Sequence, residues 1–98
     1  MTMKTKTIED MESFKNCLEN ALMELWLHGQ AGATKVAVVN IGWVVSLALS
    51  PRWVVTLGNV DRKTEPALMQ NLNLLVRQTE FGKEDMDVYS EWADEPSA

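Results

Sequence analysis

An α+β fold is expected of this chain of 98 residues, and three features of the sequence point to it. The stretch from Lys35 to Val60 is rich in β-branched residues and is broken by turn-forming groups. Apolar residues recur at helical spacing on both sides of it. The net charge is gathered at the C-terminal end. The expected order is helix, three-stranded antiparallel meander, helix, and a short C-terminal acidic helix or tail. Residues 1–82 would form a single α-β-β-β-α domain and residues 83–98 an acidic, aromatic C-terminal segment. An apolar fraction of 46% and a charged fraction of 23% are those of a globular chain.

The first helix announces itself at Thr7-Ile8-Glu9-Asp10, where Thr7 can cap and the acids suit the positive end of the helix dipole. Met11, Phe14, Leu18, Leu22 and Leu25 form an apolar stripe, flanked by Cys17, Ala21 and Trp26. Gly29 is a natural helix stop, and Gln30 to Thr34 reads as a linker.

Two turns are expected within the sheet. Asn40-Ile41-Gly42 offers a glycine for the left-handed position of a three-residue hairpin loop, pairing Val39 with Trp43 and Ala37 with Val45. Ser50-Pro51-Arg52 makes the second loop, pairing Leu49 with Trp53, Leu47 with Val55 and Val45 with Leu57. Both registers put Trp43, Val45, Leu47, Leu49, Trp53, Val55 and Leu57 on one face, because strand side chains alternate. Ser46 and Thr56 would pair on the other face. A rival reading keeps Lys35 to Leu49 as one bent strand with a bulge at Gly42.

A second helix starts at Thr64-Glu65-Pro66, carries Leu68, Leu72, Leu75 and Val76 on its apolar side, and ends by Gly82. In the tail, Met86, Tyr89 and Trp92 fall on one side of a further short helix.

Charge and composition narrow the function. Residues 83–98 hold one lysine and six acids, whereas residues 1–82 balance eight bases with eight acids. The whole net charge of −5 thus sits in the last segment, and such a charge repels phosphate backbones, so no direct nucleic acid is expected. The helix-strand-strand-strand-helix order is similar to that of double-stranded-RNA-binding domains. Where those domains place lysines at the start of the last helix, this chain has Glu65, Pro66, Ala67 and Leu68. The 14-residue apolar run Val36 to Leu49 is too short and too interrupted to span a bilayer, so no membrane partner is expected. No apolar stretch follows Met1 to Lys6, so no secretory signal is expected, and a lone Cys17 suits a reducing, cytoplasmic setting.

No catalytic, metal or cofactor set is visible. Cys17 and His28 are the only thiol and imidazole, and on one helix they would stand roughly 16 Å apart. The expectation is therefore a small non-enzymatic protein that binds another protein. It would be an inhibitor or accessory factor of the kind phages and mobile elements direct at a host enzyme complex. The candidate partner-binding residues are Val36, Val38, Val44 and Val54 on the second sheet face, with Ala48 beside them, and Met86, Tyr89 and Trp92 in the tail. If the tail does not cover that face, a second copy or a foreign partner would. The alternatives are a homodimeric acidic chaperone for a secreted effector, a nucleic-acid mimic occupying the basic groove of a DNA-processing protein, and an enzyme sharing Cys17 and His28 between copies.

Overall fold

A computed structural model describes residues 5–32 and 34–94. Two helices lie on one side of a three-stranded mixed sheet. The order is α1 (Ile8–Leu27), β1 (Ala37–Val44), β2 (Arg52–Val60), α2 (Glu65–Arg77), a 3-10 turn (Glu80–Lys83) and β3 (Asp85–Trp92). Strand β2 is central, antiparallel to β1 and parallel to β3.

Helix α1 begins with a reciprocal capping box. The Asp10 N–H donates to Thr7 Oγ1 at 3.1 Å, and the Thr7 N–H donates to Asp10 Oδ2 at 3.0 Å. The backbone N–H of Thr7, then its hydroxyl, hold the Asp10 carboxyl below the usual carboxylate range. Its far end closes with Gly29 at a φ of 70°, the Gln30 N–H donating to Leu25 O and the Gly29 N–H to Trp26 O. That paired closure satisfies two carbonyls the helix would otherwise leave open. Phe14, Leu18, Ala21, Leu22 and Leu25 are buried along the stripe. Helix α2 has Pro66 in its first turn and buries Leu68, Leu72 and Val76 against the same core.

The sheet departs from the antiparallel meander at two points. First, no turn forms at Asn40-Ile41-Gly42: β1 runs straight through, and Trp43 pairs directly with Trp53, Ile41 with Val55 and Val38 with Leu57. The bent-strand reading was nearer, although the bulge falls at Val39 and not at Gly42. Gly42 fits because a side chain there would meet nothing within 4 Å, so the residue is simply part of an open face. The bulge turns Val39 over Gly58, where a Cβ would come 2.7 Å from Val39 Cγ2. The chain reverses later, through residues 45–51, where the Ser46 hydroxyl accepts from the Ala48 and Leu49 N–H groups. Ser46 is therefore occupied within the loop and does not pair with Thr56, and Leu47 and Leu49 leave the core face for solvent.

Second, the tail forms a strand in place of the expected C-terminal helix. Met86, Val88, Ser90 and Trp92 align with Trp53, Val55, Leu57 and Val60, while Asp85, Asp87, Tyr89 and Glu91 alternate outward. Asp85–Trp92, within the segment set apart as 83–98, thus supply an edge of the same sheet. Parallel pairing needs a long connection between the strands, and α2 provides it. A second irregularity, between Leu57 and Val60, centres on Asn59 at a φ of 62°. Its Nδ2 donates to Lys35 O while its own carbonyl accepts from Thr34 Oγ1, tying the linker to β2.

Gly82 marks a close approach. A Cβ there would lie 2.5–2.8 Å from the backbone O, Cα and C of Arg77, so the 3-10 turn can fold back on α2 only without a side chain. Gly82→Ala should therefore cost about 1–3 kcal/mol in urea unfolding. Gly42→Ala should be near neutral; equal losses would mean the turn is not tightly packed. The capping box adds a pH dependence. Because the folded Asp10 pKa lies below its unfolded value, its stabilisation is present at neutral pH and is lost as pH falls through the folded value. Thr7→Ala should narrow the gap to the parent protein in acid, and a constant gap across the titration would contradict this.

Candidate protein-binding surface

Arg52, Val54 and Thr56 of β2 face away from both helices, and with them goes one side of the sheet. Across it the rows read Val44–Arg52–Asp85, Gly42–Val54–Asp87 and Asn40–Thr56–Tyr89. Neither helix covers this side: Val39, Val44 and Tyr89 are exposed, and Val54 is half-buried. Arg52 binds the acidic row, with Nη1 3.2 Å from Asp87 Oδ2 and Nη2 3.9 Å from Asp85 Oδ2. Ser50 completes the corner by donating to Asp85 Oδ2 at 2.6 Å. The face is a mixed surface of aliphatic and paired charged groups.

At its end stands the loop 45–51. Leu47 is fully exposed (104%) and Leu49 is 59% exposed, next to Val44 at the end of β1. The turn around Ser46 shapes the tip, while Ser50, whose carbonyl accepts from Arg52 Nε at 3.2 Å, fixes the base.

The seven residues expected to bind a partner divide between the two sides of the sheet. Val44, Val54 and Tyr89 lie on the open face. Val36 is buried in the core, and Val38, Met86 and Trp92 pack against it. The expectation that the four valines share the second sheet face, with Met86, Tyr89 and Trp92 together on one side of a tail helix, is corrected on two grounds. The bulge at Val39 changes which side Val38 takes, and strand alternation in β3 sends Met86 and Trp92 inward. Ala48 lies exposed in the loop. Trp92 is capped from outside by Arg62, whose Cζ is 4.7 Å from the ring centroid and whose Nε binds Asp94 at 3.0 Å. The exposed leucines were missed because they were assigned to a strand. The signal available was the Ser46 hydroxyl, well placed to cap a turn.

Cys17 and His28 stand apart on α1. Cys17 Sγ is 3.8 Å from Thr79 Oγ1, and His28 caps the far end of the same helix, about 16 Å along its axis. Among the described residues no three His, Cys, Asp or Glu side chains gather as a metal site, and no helix is long and apolar enough to cross a membrane. The closest charged constellation is internal. Lys6 Nζ sits 2.6 Å from Glu84 Oε2, 4.6 Å from the Trp43 ring centroid and 5.4 Å from that of Trp53. Trp53 Nε1 donates to the other Glu84 oxygen at 3.3 Å. Comparison with protein-family models, curated proteins and solved structures finds no match.

The Lys6–Glu84 pair is mostly shielded from solvent, so removing one partner strands the other charge. Lys6→Met should destabilise the fold by about 1–3 kcal/mol. Adding Glu84→Gln should recover part of that loss in thermal unfolding. A double variant no more stable than the single one would mean the two groups are not coupled.

Proposed function

We propose that this chain is a small non-enzymatic protein that acts by binding another protein through the loop 45–51, with the open sheet face as its rim. The genre that suits such a chain is an inhibitor or accessory factor made by a phage or mobile element and directed at a host enzyme complex. The observation that carries the reading is the pair of exposed leucines, Leu47 and Leu49, on a loop whose shape is already set by hydrogen bonds. A scattered exposed leucine means little, but two on one shaped projection beside Val44 make a patch. Burying each would contribute about 1.5–3 kcal/mol before the costs of association. A loop held in place reduces the ordering cost that a flexible one would incur. The arrangement also supplies polar groups around an apolar centre, because Arg52, Asp85 and Asp87 border the loop.

The nucleic-acid mimic has less support. Such a role needs a run of unpaired negative charge, and Arg52 offsets both Asp85 and Asp87.

The test is affinity capture from a bacterial lysate with the parent protein and with Leu47→Ser/Leu49→Ser. The substitutions lie in a solvent-exposed loop and should leave unfolding within about 0.5 kcal/mol of the parent. Proteins held by the parent should be lost from the double variant. Unchanged recovery of the same proteins would overturn the reading.

A further inference from the structure

We propose that the two aspartates at the start of β3 are positioning residues for the loop 45–51, Asp85 by holding Ser50 and Asp87 by holding Arg52. The loop then keeps its shape only while the C-terminal strand is seated. The inference rests on the reading of this loop as the binding element and adds what controls it.

The first observation is how the loop is tied down. Its tip is held locally, by the Ser46 hydroxyl accepting from the Ala48 and Leu49 N–H groups. Those bonds join residues within the loop, so they move with it and do not fix where it points. Among the described residues, the hydrogen bonds that leave the loop all pass through Ser50. Apolar contact does not replace them, because Leu47, Ala48 and Leu49 are exposed.

The second observation is where the ties from Ser50 end. Its hydroxyl donates to Asp85 Oδ2 at 2.6 Å and accepts from Arg52 Nη2 at 3.3 Å, while its carbonyl accepts from Arg52 Nε at 3.2 Å. Arg52 is itself only two residues on and needs an anchor of its own. That anchor is Asp87, 3.2 Å from Nη1. Both routes out of the loop thus finish on β3, one directly and one through the guanidinium. Strand β1 enters the loop through Val44 and Val45, whose side chains carry no polar group.

Pro51 is the rival support. Its ring fixes its own φ and biases Ser50 towards extended backbone. That restriction acts on those two residues and leaves Val45 to Leu49 free to swing as a unit. A loop that is loose before its partner arrives has to be ordered on binding, which lowers affinity with no contact removed. Damage at the start of β3 therefore weakens binding although both leucines are untouched.

The test is nuclear magnetic relaxation on the full chain labelled with nitrogen-15. Amides of residues 46–50 in the parent should show order parameters of about 0.85, and in Asp85→Ala/Asp87→Ala below about 0.6, with β1 and β2 unchanged. Asp85→Asn/Asp87→Asn, whose amide oxygens still accept, should keep the loop ordered. The alanine variant should also hold the captured proteins about two- to tenfold more weakly. A loop that is mobile in the parent, or equally ordered in the alanine variant, would overturn this inference and leave the reading of Leu47 and Leu49 standing. A loop loosened as expected, with the same proteins still held by Leu47→Ser/Leu49→Ser, would uphold the positioning and overturn that reading.

Discussion

The structure depends on where Trp53 goes. Its side chain is wholly buried at the start of the central strand, stacked on Phe14 of α1 at a ring-centroid distance of 4.1 Å. Trp43 of β1 meets it edge-on at 5.1 Å, and Phe81 of the 3-10 turn at 6.2 Å. Each such ring pair contributes about 0.5–1.5 kcal/mol beyond the area it buries. One indole therefore contacts aromatic rings from three other parts of the chain. Its N–H also has a partner, Glu84, so burial leaves no polar group stranded.

Much else follows from that placement. With Trp53 inward, alternation turns Val55 and Leu57 inward and Arg52, Val54 and Thr56 outward. Helix α1 covers the β1 side and α2 spans the return to β3, so both helices are spent on one face. Among the described residues no layer lies over the opposite face, which is why valines and Tyr89 stay open there. Lys6 closes the aromatic cluster from the end of the chain that enters α1, bringing a cation to two indoles and a carboxylate together. Cation–π attraction strengthens where water is thin, and this ammonium is well shielded.

The helices were legible because their signals are local: Thr7 with Asp10, Gly29, and the stripes through Leu18 and Leu72. The shared facing of Trp43 and Trp53 was legible too, but by the wrong route. Two hairpin turns and direct pairing both put these residues on one side, because each route preserves the odd-even alternation. What failed was the role of Gly42, since glycine marks a turn in one setting and an uncrowded strand position in another. The tail was misread by period. Met86, Tyr89 and Trp92 are spaced for a helix, while Asp85 to Trp92 also alternates polar and apolar nearly throughout, as a half-buried strand does. Nothing local could decide between them, because β3 gains its partner from β2 across the whole length of α2. The candidate surface suffered in turn. Val44, Val54 and Tyr89 do lie on the open sheet face, whereas Leu47 and Leu49 were assigned to a strand that does not form.

The surfaces open to function in this chain are those that the aromatic cluster leaves over, the shaped apolar loop and the open sheet face beside it. Their positions hold only if Trp53 anchors the sheet as described. The most direct measurement is a nuclear Overhauser spectrum of the protein with its indole nitrogens labelled. The account predicts cross-peaks from the Trp53 ring to Phe14, Trp43 and Met86 in one and the same species. A Trp53 indole that exchanges freely with solvent, or that contacts Trp43 but not Phe14, would contradict it.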